Sequence, residues 1–82
     1  MSAPSAKPGN VVINVHINEV HYKLDRLQYT GAELAALAGI PTGNQIFLDV
    51  PGNGDDVPVG ADEQLTVSSG MKFYDVPVGN LG

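Results

Sequence analysis

The chain has 82 residues, of which nine are acidic and four are basic, for a net charge of −5, and it contains no cysteine. A length of this order allows one domain. The negative charge opposes binding to nucleic-acid phosphates and to anionic membranes, and no apolar window approaches the roughly 20 residues that span a bilayer. We therefore expect a protein that binds neither nucleic acid nor membrane. The absence of cysteine excludes disulfides and thiolate metal sites, which fits the reducing cytoplasm, and we expect a cytoplasmic protein.

The N-terminal third predicts a lead-in followed by a β-hairpin. Residues 1–10 are rich in proline, serine and glycine and lack an apolar stretch, which is typical of a flexible segment and not of a signal peptide. In VVINVHIN, from Val11 to Asn18, apolar and polar side chains alternate, which predicts a strand with one buried face. A second alternating run, HYKL, follows so closely that the two predict an antiparallel hairpin, after which Leu27 and Tyr29 take up the apolar positions.

The segment TGAELAALAG carries the start and stop signals of a helix. Thr30 and Glu33 have the spacing of a capping box, in which the hydroxyl accepts from the Glu33 N–H and the carboxylate accepts from the Thr30 N–H. Gly39 stands where a left-handed residue ends a helix, and Pro41 prevents continuation. These signals predict a short helix from Gly31 to Ala38. Its predicted buried stripe consists of Leu34, Leu37 and Ala38.

The C-terminal half predicts further strands and thereby the fold class. NQIFLDV, from Asn44 to Val50, alternates like a strand. VPVG is at most a short edge strand because proline removes a ladder donor, and ADEQLTV predicts a loop or a short helical turn. GMKFYDV predicts the last strand. One amphipathic helix packed on one mixed sheet, an α+β domain, buries the apolar faces of all these elements.

The sequence predicts no catalytic or metal site. His16 and His21 are expected to lie close together across the hairpin, but two histidines without a cysteine or a third ligand make a poor zinc site. The acidic turn GNGDD lacks the spacing and the final glutamate of a calcium loop, and the glycines are not followed by the Lys-Ser/Thr of a phosphate-binding loop. We therefore expect a protein that is not an enzyme and that holds no cofactor of its own.

The order of these elements is similar to the β-grasp fold of ubiquitin. The likeness extends from Val11 to Gly82, and GIPTGNQIFLDVPG resembles the stretch between the helix and the third strand of ubiquitin. Three segments more narrowly resemble the bacterial multiubiquitin-type domains, namely INVHINEVHYKL, YTGAELAALAGI and GMKFYDV. The resemblance implies a ubiquitin-like β-grasp domain over residues 11–76, with one helix on a mixed four- to five-stranded sheet, followed by an extended conjugation tail over residues 77–82.

The same resemblance implies a protein modifier that acts through its C-terminal glycine, Gly82. An activating enzyme would use ATP to adenylate the Gly82 carboxylate and would then hold the acyl group as a thioester. A conjugating enzyme would pass the group to a covalent target protein, and a deconjugating protease would remove it. A glycine carboxyl has no Cβ beside the carbon under attack, so it crowds neither the nucleotide nor the thiolate.

The residues before the terminal glycine are expected to be recognised by these enzymes. They are Val78, Gly79, Asn80 and Leu81. Unlike the tail of ubiquitin, this tail has no basic residue and ends in a single glycine, which suggests a dedicated cognate activating enzyme.

Two further sets of residues are predicted to act on the surface of the domain. Strand alternation places Phe47, Tyr74 and Val76 on the open face of the sheet, where an apolar cluster is expected to contact partner proteins. The possible acceptors for chain building are the three lysines, Lys7, Lys23 and Lys72.

Two other functions use the same fold. A sulfur carrier would convert the terminal carboxylate into a thiocarboxylate, although such carriers usually end in two glycines. A non-covalent binding module would use Phe47 and Tyr74 and would leave the tail inert.

Overall fold

The computed structural model describes residues 11–52 and 54–77, which form seven strands and one helix. In chain order the elements are β1 (Ile13–Ile17), β2 (Val20–Leu24), β3 (Gln28–Thr30), α1 (Gly31–Ala38), β4 (Gln45–Asp49), β5 (Val57–Val59), β6 (Gln64–Thr66) and β7 (Lys72–Val76). The predicted lead-in over residues 1–10 and the predicted tail after Pro77 lie outside the described residues. In this described part, no helix is long and apolar enough to cross a membrane.

Strand β7 lies at the centre of a five-stranded sheet with the order β2-β1-β7-β4-β5. Strands β1 and β2 form the predicted antiparallel hairpin, β1 pairs with β7 in parallel, and β7 pairs with β4 antiparallel. Strand β5 is an edge strand with Pro58 at its middle, as the missing proline N–H requires. The prediction of an α+β fold with one helix and a mixed sheet is confirmed.

A two-residue loop closes the β1–β2 hairpin, with Ile17 opposite Val20. Both loop residues have left-handed backbones, with φ of 53° at Asn18 and 71° at Glu19. Such a loop matches the right-handed twist of paired strands, and asparagine tolerates the conformation better than most residues. Because the chain turns back here, β1 ends level with Phe73 of β7.

The helix α1 begins and ends where its sequence predicts. Thr30 Oγ1 accepts from the Glu33 N–H at 3.1 Å, and Glu33 Oε1 accepts from the Thr30 N–H at 2.8 Å, which completes the capping box. Gly39 ends the helix with φ of 71°, and its N–H donates to the main-chain oxygen of Ala36. The caps satisfy main-chain groups that a short helix otherwise leaves unpaired.

The first residue of the helix packs directly against the β5–β6 connection. A Cβ on Gly31 would lie 2.5 Å from the main-chain oxygen of Gly60, so only glycine fits there. The Gly31 N–H donates to that oxygen at 3.2 Å, and the Ala32 N–H donates to Ala61 O at 3.1 Å. The connection therefore satisfies two of the N-terminal N–H groups of the helix.

The core lies between the helix and the sheet. Its buried apolar residues are Ile13, Val15, Ile17, Leu24, Tyr29, Leu34, Ile46, Val59, Val67 and Phe73. The prediction that Leu37 is buried is wrong, because this side chain is 45% exposed. The buried stripe of the helix is centred on Gly31 and Leu34, with Ala35 and Ala38 half-buried, which leaves Leu37 at its flank.

A second, two-stranded sheet pairs β3 with β6 and corrects two predictions. The segment ADEQLTV is not only a loop or a helical turn, because Gln64–Thr66 forms a strand in which Leu65 lies opposite Tyr29. Leu27 is 57% exposed, so Tyr29 alone takes the buried apolar position there. A three-residue strand carries too short an alternation to be recognised, and its partner strand lies far away in the sequence.

Removing one half of the capping box tests its contribution to stability. Thr30→Ala deletes the hydroxyl that accepts the Glu33 N–H, and we expect the free energy of unfolding to fall by about 1 kcal/mol. Denaturant unfolding measures this loss, with Thr42→Ala at an exposed position in the α1–β4 loop as the matched control. Equal losses in the two variants would contradict the role assigned to the cap.

Candidate functional site

The open face of the main sheet, opposite the helix, brings the three predicted contact residues together. Phe47 of β4 lies opposite Tyr74 of β7, and Val76 follows Tyr74 on the same face of β7. We call these three residues the open-face patch. Phe47 and Tyr74 are half-buried and their rings stack, with centroids 5.4 Å apart and planes inclined by 16°, while Val76 is 38% exposed. Strand pairing therefore places the three side chains on one face of the sheet, with the rings of Phe47 and Tyr74 in contact.

A carboxylate directly before β5 holds Tyr74 in place. The Tyr74 hydroxyl donates to Asp56 Oδ2 at 2.5 Å, and the Val50 N–H donates to Asp56 Oδ1 at 3.1 Å. The hydrogen bond to Asp56, followed by partial burial and the charges of Asp56 and Asp49, raises the pKa of Tyr74 to about 12. The same hydrogen bond, followed by that from Val50, lowers the pKa of the Asp56 carboxyl. Tyr74 is therefore a neutral hydrogen-bond donor at ordinary pH, with a fixed ring position.

A polar row borders the open-face patch. In register across the sheet it consists of His21, His16, Lys72 and Asp49. The ring centroids of His16 and His21 are 5.5 Å apart, which confirms their predicted proximity, and His21 Nε2 lies 2.8 Å from Asn14 Oδ1. Across residues 11–52 and 54–77, no three His, Cys, Asp or Glu side chains come together as a metal site. The row gives the patch a border with a cation at Lys72 and a carboxylate at Asp49.

Two of the three candidate acceptor lysines lie in the described part of the chain. Lys72 stands on the open face beside the patch, and Lys23 lies on the edge strand β2, opposite Asn14. Both are exposed, as an acceptor amine must be, and their role stays a prediction. Lys7 lies outside the described residues.

Strand β7 ends at the root of the predicted tail, where Asp75 joins three elements. Asn18 Nδ2 donates to Asp75 Oδ1 at 2.6 Å, and Asn44 Nδ2 donates to Asp75 Oδ2 at 2.7 Å. These bonds, with that from Asn44 first, lower the pKa of the Asp75 carboxyl. The predicted tail residues Val78, Gly79, Asn80, Leu81 and Gly82 lie outside the described residues.

Neither Asp56 nor Asp75 is predicted by the sequence as a site residue. Asp56 belongs to the turn PGNGDD, where acidic residues are ordinary. Asp75 follows Phe73 on the core-facing side of β7, and a carboxylate at such a position needs hydrogen-bond partners. The sequence could therefore predict that Asp75 has hydrogen-bond partners, but not which residues they are.

A comparison with known protein families identifies the family of this domain. A family model described as Multiubiquitin matches residues 13–75, from the start of β1 almost to the end of β7. The chain belongs to the multiubiquitin family. This multiubiquitin match confirms the resemblance predicted from the sequence, and it includes Phe47, Tyr74 and Asp75 but not Val76 or the tail. Comparisons with curated proteins and with solved structures give no match.

The contact between Tyr74 and Asp56 generates a titration prediction for the multiubiquitin domain. A nearby carboxylate disfavours the phenolate, so Asp56→Asn should lower the pKa of Tyr74 from about 12 toward the ordinary value of 10.0. The NMR signals of the Tyr74 ring, followed through alkaline pH, measure this change. Asp55→Asn, which neutralises the neighbouring exposed carboxylate, is the matched control. A Tyr74 pKa that is the same in both variants would contradict the assigned contact.

Proposed function

We propose that this multiubiquitin domain is a bacterial ubiquitin-like protein modifier, activated at Gly82 by a cognate activating enzyme and transferred to a target protein. The observation that carries the proposal is family membership over residues 13–75, and Gly82 is the residue to which the resemblance assigns the conjugation. The tail follows β7, the central strand of the sheet, whose last residues, 74–76, pair with β4. The folded domain then provides recognition, and the tail provides the reactive carboxylate.

The proposed chemistry needs no catalytic group in this chain. The Gly82 carboxylate attacks the α-phosphorus of ATP, and pyrophosphate leaves. A cysteine thiolate of the activating enzyme then attacks the acyl carbon, which forms a thioester as AMP leaves. After exchange onto a cysteine of the conjugating enzyme, an amine of the target attacks the thioester, and an amide forms as the thiol leaves. Glycine suits each attack because no side chain stands beside the acyl carbon.

The partners in this proposal are the activating enzyme, the conjugating enzyme, the deconjugating protease and the target. The open-face patch suits the contacts with enzymes because an aromatic pair at its centre is the kind of anchor that dominates protein interfaces. Stacking and the bond to Asp56 already restrict Tyr74, so little side-chain entropy remains to be lost on binding. ATP is used by the activating enzyme, the domain itself is not an enzyme, and we place the reaction in the cytoplasm.

A non-covalent binding module is the second candidate, and the stacked pair of Phe47 and Tyr74 on the open face favours it. In that case the patch carries the whole function and the tail is inert. The sulfur carrier shares the terminal carboxylate with the modifier, but the single glycine of GNLG favours the modifier.

Removing the terminal glycine tests the proposal. Deletion of Gly82 should abolish ATP-dependent thioester formation with the cognate activating enzyme, because the acyl carbon would then belong to Leu81 and carry a bulky side chain beside it. Non-reducing electrophoresis and intact mass measure the thioester. Thermal unfolding is expected to be unchanged, which excludes misfolding as the cause.

The possible outcomes separate the three functions. Normal charging of the truncated protein would rule out the modifier. A gain of mass by one sulfur-for-oxygen exchange, in the presence of a sulfur donor, would indicate the sulfur carrier. If the full chain is never charged, and partner binding survives deletion of Gly82 but is lost in Phe47→Ala, the non-covalent module is correct.

A further inference from the structure

The end of β7 lacks a strand neighbour on one side. Strand β1 pairs with β7 only as far as Ile17, which lies opposite Phe73, because the hairpin turn follows. Within the described residues, the stretch 74–76 pairs with β4 alone, and Val76 lies opposite Gln45. A strand end that is held from one side opens more readily than one held from both. This one-sided stretch is also the root of the predicted tail.

Asp75 occupies the core-facing position of this stretch and takes the place of the missing neighbour. Its two carboxylate oxygens accept from Asn18 in the hairpin turn at 2.6 Å and from Asn44 in the α1–β4 loop at 2.7 Å. Its N–H also donates to Asn18 Oδ1 at 3.4 Å, so that Asn18 contacts both the main chain and the side chain. We call Asp75, Asn18 and Asn44 the exit clamp.

The exit clamp is built from a carboxylate and two neutral amides. Hydrogen bonds to an ionised acceptor are shorter and stronger than those between neutral groups, and both bonds of the clamp are short. Because neither asparagine is charged, the clamp is not an ion pair that salt would screen. It connects the end of β7 to two separate loops. The Asn18 N–H also donates to Phe73 O of β7, and the Asn44 N–H donates to Pro41 O within its own loop.

We infer that Asp75 is a positioning residue for activation of the tail, because the exit clamp keeps β7 paired as far as Val76 and fixes the point at which the chain leaves the sheet. This inference rests on the proposed function. Without the clamp, the last residues of β7 gain freedom in the unbound protein, and the activating enzyme must order them when it binds. The loss of the clamp therefore weakens binding of the domain to the activating enzyme, whereas the rate of the adenylation step at Gly82 is unchanged.

Adenylation kinetics with the cognate activating enzyme test the inference. Asp75→Ala removes both acceptors, and we expect KM for the domain to rise about tenfold while kcat stays within about twofold. Asn44→Ala and Asn18→Gly each remove one arm of the clamp, with an expected rise in KM of about threefold. Glycine adopts the left-handed conformation of residue 18 freely, so Asn18→Gly keeps the turn while it removes the side chain.

Thr30→Ala is the control for a general loss of stability, because Thr30 bonds with Glu33 and makes none of the hydrogen bonds of the exit clamp. Its KM should stay within about twofold of the unmodified chain, even though its unfolding free energy falls. The inference is overturned if Asp75→Ala leaves KM unchanged. It is equally overturned if Thr30→Ala raises KM as much as Asp75→Ala does at a similar loss of stability.

A measurement on the free protein separates failure of the clamp from failure of the proposed function. In Asp75→Ala, the NMR order parameter of the Val76 amide should fall below about 0.6, while that of Val15 in β1 stays near 0.85. An unchanged value at Val76 overturns the clamp whether or not any enzyme charges the protein. If the unmodified chain is never charged at Gly82, the proposed function fails, and the order parameter of Val76 still decides whether the clamp holds the strand.

Discussion

The whole structure depends on the placement of one strand, β7, between β1 and β4. Alternation along β7 directs Phe73 into the core and Tyr74 to the open face. Because successive side chains of a strand point to opposite faces, a shift of β7 by one residue would turn its core-facing side chains to the open face and its open-face side chains into the core. The packing of the core and the geometry of the open-face patch are therefore fixed by the same strand register.

This shared register links the fold of the multiubiquitin domain to its proposed function. A modifier must present a surface that several enzymes recognise and must hold its reactive end at a constant distance from that surface. Tyr74 anchors the surface through Asp56, and the adjacent Asp75 anchors the strand end through Asn18 and Asn44. In the proposed function, recognition by the enzymes and presentation of the tail would both depend on neighbouring residues of this one strand.

Local chemistry explains which features the sequence predicts. The bounds of the helix follow from Thr30, Glu33, Gly39 and Pro41, since caps act within a few residues. The hairpin and the last strand follow from the alternation of apolar and polar side chains. The resemblance to the family rests on the order of the elements and on the segments INVHINEVHYKL, YTGAELAALAGI and GMKFYDV. The pairing of β3 with β6 cannot be predicted from the sequence, because strands of three residues show no clear period and the two strands lie far apart in the chain. The partners of Asp56 and Asp75 do not follow either, since they depend on which loops meet at the ends of the sheet.

The central claim is that Gly82 becomes joined to other proteins through its carboxyl group. Mass spectrometry of the protein isolated from its native cells tests this most directly. The account predicts peptides in which the carbonyl of Gly82 forms an amide bond with a lysine side chain of a different protein. Recovery of Gly82 solely as a free carboxylate, from cells in which the activating enzyme is present and active, would contradict the account.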